Sequence, residues 1–412
     1  MRAVSADPDR DEEGISFTAH QQQHGAVGLR DRIGEVGLGL HGLAVHLQDH
    51  VSRQEPGPRG DRVGRHGRDH HPSPPNAESA GHVFVERLHF HPKRGHLPAL
   101  GIVGRDLLSL SALDRAQVLK LFATAKSVKA DISKDRKALD GKAVILLFEK
   151  PSLRTRISFE VGIAKLGGTA IYMDHSNARL GERESVHDYG KNLERWVQCI
   201  VARVFSQTVL DEMAAAASVP VINALSDLFH PCQALADFFT LTEHFKGLQG
   251  VKLAYVGDGN NVCNSLMHAA GLLGVPMTVI TPEGFEPRPE IVAEARSLAK
   301  SSGSRIELSN DPSAVSGHSA VYTDVWVSMG QGAGQADEAA KRRKAFQPYQ
   351  VNTNLMAIAG PDAKFMHCLP AHRGLEVTDP VIDSTNSVVY DQAENRMHVQ
   401  NALLLHLLTK RL

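Results

Sequence analysis

The sequence predicts an α/β protein of two doubly wound parallel-sheet domains behind a disordered or non-native N-terminal extension, and three observations predict it. Composition breaks near residue 100: residues 1–92 contain ten Arg and no Lys, and 12 of the 22 His fall within the first 100 residues. Beyond the break, short apolar runs alternate with segments of helical apolar spacing, the order that builds parallel sheets with crossover helices. The polar, chemically loaded clusters all fall where an apolar run ends, on the sheet edge where open α/β folds bind ligands.

The extension, residues 1–103, holds turn-rich tracts such as EPGPRGDRVGRHGRDHHPSPP and few sustained apolar periods, so disorder is expected. His66, His70 and His71 lack the partnered spacing of a metal site. Arg-rich, Lys-free sequence with no Met between Met1 and Met173 is also what translation of GC-rich DNA upstream of a true start would give; the N-terminus of natively expressed protein, read by mass spectrometry, tests that expectation.

The first folded half, 104–245, opens with a helix in which Leu113, Val118, Leu121 and Phe122 recur at helical spacing after a Ser/Asp start. The run Ala143 to Phe148 reads as a buried parallel strand. It is followed by a helix marked by Ile157, Val161, Ala164 and Leu166 and stopped by Gly167 and Gly168. Strands TAIYM, CIVARVF and PVINA follow, and an amphipathic helix from Cys232 to Phe245 closes the half. The second half, 246–394, carries strands VKLAYVGD, MTVITP, RIELSN, AVYTD, KFMHCL and SVVYD. An apolar helix from Asn395 to Leu408 ends the chain within a tail of residues 395–412.

Composition excludes several classes. A net charge of −1 gives no global attraction to nucleic acid or to an anionic membrane, so any anion site is local. No stretch approaches the roughly 18 to 20 uninterrupted apolar residues of a membrane span. Cys199, Cys232, Cys263 and Cys368 form no C-x-x-C pair, against a zinc knuckle or a disulfide scaffold and in keeping with a reducing cytoplasm.

Five clusters carry chemistry. Ser152-Leu153-Arg154-Thr155-Arg156 lies where a strand turns into a helix. Free N–H groups, hydroxyls and guanidiniums there suit a phosphate, although alone it is equally a capping Ser with surface arginines. His230-Pro231-Cys232-Gln233 follows a strand, where His can donate to a carbonyl oxygen and Gln can pair with an amide-like group; a capping or buried His is the commoner outcome. Gly257-Asp258-Gly259-Asn260-Asn261 superficially resembles a dinucleotide loop, but Val262 stands where the third Gly would, and no acidic residue clearly follows the next strand. The twin Asn suits the zwitterionic end of an amino acid instead. Asp324 precedes Ser328-Met329-Gly330 and a Gly-rich, charged stretch that reads as a lid or as a plain exposed loop. His367-Cys368-Leu369-Pro370-Ala371-His372-Arg373-Gly374 places a thiol, a Pro-fixed turn and an Arg in one loop, and Cys368 is a nucleophile or a buried apolar residue.

In this order, S-x-R-T-R, H-P-x-Q, D-x-x-x-S-M-G and H-C-L-P-A-H-R-G resemble the transcarbamoylase family over residues 105–412, the last two motifs pointing to its ornithine branch. The resemblance implies a carbamoyl phosphate-binding and an ornithine-binding domain, with a terminal helix packing back on the first. It implies Ser152, Leu153, Arg154 and Thr155 on the phosphate, Arg203 bridging phosphate and carbonyl, and His230 and Gln233 at the carbamoyl group. Asn261, Asp324, Ser328 and Met329 would surround ornithine, with Cys368 and Leu369 beside the reacting amine and Arg396 completing the site. Arg203, His230 and Cys368 are the catalytic candidates. Homotrimers or multiples of trimers, with active sites near subunit contacts and no metal or cofactor, are also implied. The sequence departs from the family at Leu153, where many members have Thr. It departs again at Arg179, where many carry a Gln that reaches a neighbour's carbamoyl phosphate and where Arg would supply another phosphate charge.

Overall fold

The computed structural model describes residues 106–326 and 336–409. The extension with His66, His70 and His71, and the residues Ser328, Met329 and Gly330, lie outside the described residues.

The first half contains β1 (Ala143–Phe148), β2 (Thr169–Asp174), β3 (Cys199–Arg203) and β4 (Val221–Leu225), all parallel, in the order β2-β1-β3-β4. Between and around them run α1 (Arg115–Ala130), α2 (Leu153–Lys165), α3 (Val186–Leu193), α4 (Gln207–Ala216) and α5 (Pro231–His244). Asp114 starts α1 through a capping box: its carboxylate accepts from Gln117 N, and the Gln117 side chain accepts from Asp114 N. Ahead of α1, Leu107 bonds on both sides of Ile222, from its N to Val221 O and from Asn223 N to its O, and so extends the sheet edge at β4.

The second half contains β5 (Leu253–Val256), β6 (Met277–Ile280), β7 (Ile306–Ser309), β8 (Ala320–Thr323) and β9 (Lys364–His367), parallel in the order β7-β6-β5-β8-β9. Its helices are α6 (Asn261–Leu273), α7 (Pro289–Ser302), α8 (Ala336–Phe346), α9 (Thr353–Ala359) and α10 (Asp379–Ile382), and α11 (Val389–Leu408) ends the described chain. Strand order reverses between β1 and β3 in one sheet and between β5 and β8 in the other, and each reversal opens a crevice at the strands' carboxyl ends.

Three expectations are corrected. SVVYD is not a strand: Ser387 makes only an isolated bridge to Phe365, and α11 begins at Val389, six residues before the expected Asn395. The β-branched pair favours a strand locally, but Val389, Gln392, Arg396 and Val399 are buried at helical spacing, and that packing wins. Helix α5 is not amphipathic, since Pro231 through Leu241 are all buried between β4, α6 and α11. Much of the expected polar lid stretch is helical, as α8. Helix α11 packs on α1, α2 and α5, and at Gly162 of α2 an added Cβ would stand 2.2 Å from Asn401 Oδ1, so any larger residue there would displace the buried Asn401 amide between the two helices.

Candidate active site

A cavity of about 440 Å³ lies where the two crevices face each other. Its lining includes Ser152, Leu153, Arg154, Thr155, Arg203, His230, Gln233, Asn261, Asp324, Cys368, Leu369 and Arg396, so twelve of the sequence candidates converge. Arg179 does not line it; it is exposed, with its guanidinium 4.3 Å from the centre of the Phe205 ring.

On the first-half side, Ser152 caps α2, its Oγ accepting from Thr155 N at 3.4 Å, and the first-turn N–H groups of Leu153 and Arg154 have no intrahelical partner. Thr155 Oγ1 accepts from Ser152 Oγ at 3.1 Å and from Arg396 Nη2 at 3.2 Å. Arg203 ends β3 just after a register shift, is buried, and has an Nε without a hydrogen-bond partner among the described residues. Burial, with Arg396 and Arg154 nearby, pulls its pKa down to about 10. Arg396 is buried as well and lowered by the same desolvation. Buried guanidiniums gathered with no carboxylate in direct ion pair among the described residues form a receptor for an anion, because each is costly there until a counter-charge arrives.

His230 caps α5 with its backbone, its N–H donating to Ser265 Oγ at 2.7 Å, while its ring Nδ1 has no partner among the described residues. Burial, then Arg396 and Arg203, hold the ring well below its usual pKa, so it is neutral at pH 7 and can donate one hydrogen bond to a carbonyl oxygen. Gln233 Oε1 accepts from Arg396 Nη1, and its Nε2 donates to Asp237 Oδ1 at 2.8 Å.

On the second-half side, Asp324 accepts from Asn260 Nδ2 at 2.8 Å, from Val325 N at 2.8 Å and from the Cys368 thiol at 3.0 Å. Burial and Asp324 push the Cys368 thiol well above its usual range, which keeps it protonated. Asn261 donates to Ser226 O at 2.6 Å and joins the two halves. Its twin serves the fold, not a ligand: Asn260 Oδ1 accepts from Val262 N and Cys263 N to cap α6. Leu369 sits in the left-handed region at φ 55, ahead of a cis peptide to Pro370. The glycines of the 257–261 loop also have a structural reason, since a Cβ on Gly259 would meet Pro287 N at 2.3 Å. Asp324, His367 and Cys368 offer ligand atoms within 4.8 Å of one another, a set able to take a metal ion.

Sequence reasoning missed several contributors. Lys150 and His372 line the cavity from within or beside quoted motifs. Burial, then Arg203, lowers the Lys150 pKa, and its Nζ lies 4.4 Å from the Phe205 ring centre. Asp237 stands one helical turn after Gln233, a spacing that does not by itself mark a site residue. Glu149, buried and accepting from Leu180 N at 2.8 Å and Phe205 N at 2.7 Å, braces the loops beside the cavity and left no sequence signal.

Residues 105–243 match the aspartate/ornithine carbamoyltransferase carbamoyl-P binding domain, and residues 249–407 match the Asp/Orn binding domain of the same family. An ornithine carbamoyltransferase of Shewanella oneidensis is 54% identical over 303 residues, covering 74% of this chain and 99% of that protein. An anabolic ornithine carbamoyltransferase of Pyrococcus furiosus is 49% identical over 308 residues, covering 74% of this chain and 96% of that one. Among solved structures, ornithine carbamoyltransferase from Pyrococcus furiosus aligns with a TM-score of 0.72 at 48% identity, covering 75% of this chain and 98% of its own. An acetylornithine transcarbamylase complexed with acetylcitrulline aligns at 0.67 and 30% identity, covering 73% and 98%. With both family domains matched in order around one cavity, and relatives about half identical over nearly their whole lengths, the chain belongs to the aspartate/ornithine carbamoyltransferase family.

Proposed function

We propose that the chain transfers the carbamoyl group of carbamoyl phosphate to the side-chain amine of L-ornithine, giving L-citrulline and phosphate, in arginine biosynthesis. The observation that carries this reading is one cavity with two unlike walls. Arg154, Arg203 and Arg396 with the α2 N-terminus make a dianion site on one side, and Asp324 with Asn261 makes a site for an ammonium-bearing amino acid on the other. Residues 104–245 supply the first half of that site and 246–394 the second, with α11, from Val389, returning to the first and delivering Arg396. The relative named anabolic supports the biosynthetic direction.

An alkyl amine of this kind has an unperturbed pKa of about 10.4, so presenting it neutral near pH 7 costs roughly 4.6 kcal/mol. Desolvation and the neighbouring guanidiniums both disfavour the ammonium and offset much of that cost. Attack on the carbamoyl carbon forms a tetrahedral intermediate whose oxyanion is held by Thr155, Arg203 and neutral His230; the C=O then re-forms as the C–O bond to phosphate breaks, Arg154 and Arg203 taking the departing charge and the leaving phosphate accepting the surplus proton of the attacking nitrogen. Gln233 and Leu369 orient the carbamoyl NH2, and Ser328 and Met329 complete the acceptor side. The protonated Cys368 thiol favours direct transfer over a thioester. This chemistry requires no metal or redox cofactor.

A homotrimer or a multiple of it is part of the reading. Leu153, Ile157 and Val161 on one stripe of α2, with Ile171 and Met173 on the edge strand β2, are exposed apolar side chains, and Leu153 among them also lines the cavity, a face suited to a second copy of the chain. Arg179 would act across that contact. The four cysteines are free, which fits a reducing cytoplasm. No helix among the described residues is long and apolar enough to cross a membrane.

The test is citrulline formation from carbamoyl phosphate and ornithine beside parallel reactions with putrescine, acetylornithine and aspartate. Strong preference for ornithine is expected. Activity with another amine alone would overturn the roles of Asp324 and Ser328, and activity with none would overturn the transferase reading.

A further inference from the structure

Asp237 is fully buried on α5, one turn beyond Gln233, and touches neither the cavity nor solvent. Its Oδ1 accepts twice, from Gln233 Nε2 at 2.8 Å and from Gln392 Nε2 at 2.8 Å. Gln392, on α11 and also buried, turns its Oε1 to accept from the backbone N–H of His367 at 3.0 Å. His367 is the residue before Cys368. An unbroken buried path of three hydrogen bonds therefore runs from the Gln233 amide on the anion wall, through one carboxylate oxygen, to the strand end that carries Cys368 and Leu369 on the acceptor wall.

A buried carboxylate needs a reason to be there, since an apolar residue of similar size would avoid its desolvation. The geometry supplies one. A free glutamine amide can rotate by half a turn and exchange its oxygen and nitrogen. With Asp237 accepting at Nε2 and Arg396 donating to Oε1, Gln233 is held in one orientation, its oxygen toward Arg396 and its nitrogen toward Asp237. We propose that Asp237 is a positioning residue for the transfer: it fixes the orientation of Gln233 at the carbamoyl group and, through Gln392, the placement of the His367 to Leu369 turn at the acceptor. This rests on the carbamoyl transfer reading above.

The test measures turnover of ornithine to citrulline in the full-length protein, together with inhibition by inorganic phosphate, which probes the dianion site of Arg154, Arg203, Arg396 and the α2 N-terminus apart from the carbamoyl and acceptor contacts. If the wild type makes no citrulline, the transfer reading fails first, and the two failures stay distinguishable. Given an active wild type, Asp237→Asn keeps the accepting oxygen and should retain kcat within about three-fold, whereas Asp237→Leu removes it and should lower kcat roughly 10- to 100-fold with phosphate inhibition unchanged. Wild-type turnover in Asp237→Leu, equal damage in both variants, or phosphate inhibition weakening in step with kcat overturns the proposal. Should Asp237→Leu not fold, Gln392→Met cuts the path from the other side; a several-fold rise in KM for ornithine at unchanged phosphate inhibition is expected, and an unchanged KM overturns it.

Discussion

The Cys368 thiol donates to Asp324 Oδ1 at 3.0 Å, so the one cysteine on the cavity wall serves as a hydrogen-bond donor to the carboxylate that faces the acceptor. Serine can make the same donation. Cys368→Ser should therefore retain turnover within about an order of magnitude, since its expected loss is that of one altered hydrogen bond. Intact mass of the wild type after incubation with carbamoyl phosphate alone should show no adduct on Cys368. A carbamoyl adduct there, removed by ornithine with citrulline formed, would establish the covalent route instead.

Arg203→Ala should lower kcat/KM by at least 10²- to 10³-fold, the scale of removing a preorganised donor from a developing oxyanion. The fold should survive, because the buried guanidinium is poorly compensated in the free protein: its Nε has no partner among the described residues and its neighbours Arg396 and Arg154 are like charges. Thermal denaturation of the unliganded variant should show a midpoint equal to or above that of the wild type. Near-normal turnover would sink the assignment of this residue.

Much of this site was legible because its chemistry is local in sequence. Ser152 to Thr155 and His230 to Gln233 follow the ends of β1 and β4 across one short loop, and His367 to Leu369 begin at the last residue of β9, so reading the strand also placed the cluster at the sheet's carboxyl edge. Asp237 and Glu149 were not legible, because their partners are distant: Gln392 is 155 positions from Asp237, and Leu180 and Phe205 are 31 and 56 from Glu149. Only the packing of α11 against α5, and of the 174–180 loop against β3, creates those contacts. The failed SVVYD strand has the same origin, as β-branched residues were recruited to a helix by a core that the local sequence does not reveal.

His230 supplies a stability prediction with a definite sign. Its folded pKa lies well below the 6.5 of an exposed ring, so between those two values the unfolded chain binds the extra proton. Stability from this group is then full above about pH 6.5 and falls as pH drops through that window, flattening only below the folded pKa. The denaturation midpoint of His230→Gln should lose less between pH 7 and 5 than that of the wild type, because a neutral amide cannot titrate. Parallel pH slopes for the two proteins would show that His230 is not the neutral, buried donor required to polarise the carbamoyl oxygen.

Gly259→Ala separates the structural from the ligand-binding role of the 257–261 loop. The new Cβ would meet Pro287 N at 2.3 Å and the Glu286 carbonyl carbon at 2.5 Å, both backbone atoms that cannot swing away as a flexible side chain would. The loop must shift, costing about 1–3 kcal/mol as overpacking does, which is read as a lower denaturation midpoint. The shift also moves Asn260, which caps α6 and holds Asp324 at 2.8 Å. KM for ornithine should therefore rise, while inhibition by inorganic phosphate, bound on the opposite wall, stays at its wild-type value. If phosphate inhibition weakened equally, the two walls would not be separable through this loop. If KM for ornithine held, the Asn260 to Asp324 bond would have no part in placing the acceptor.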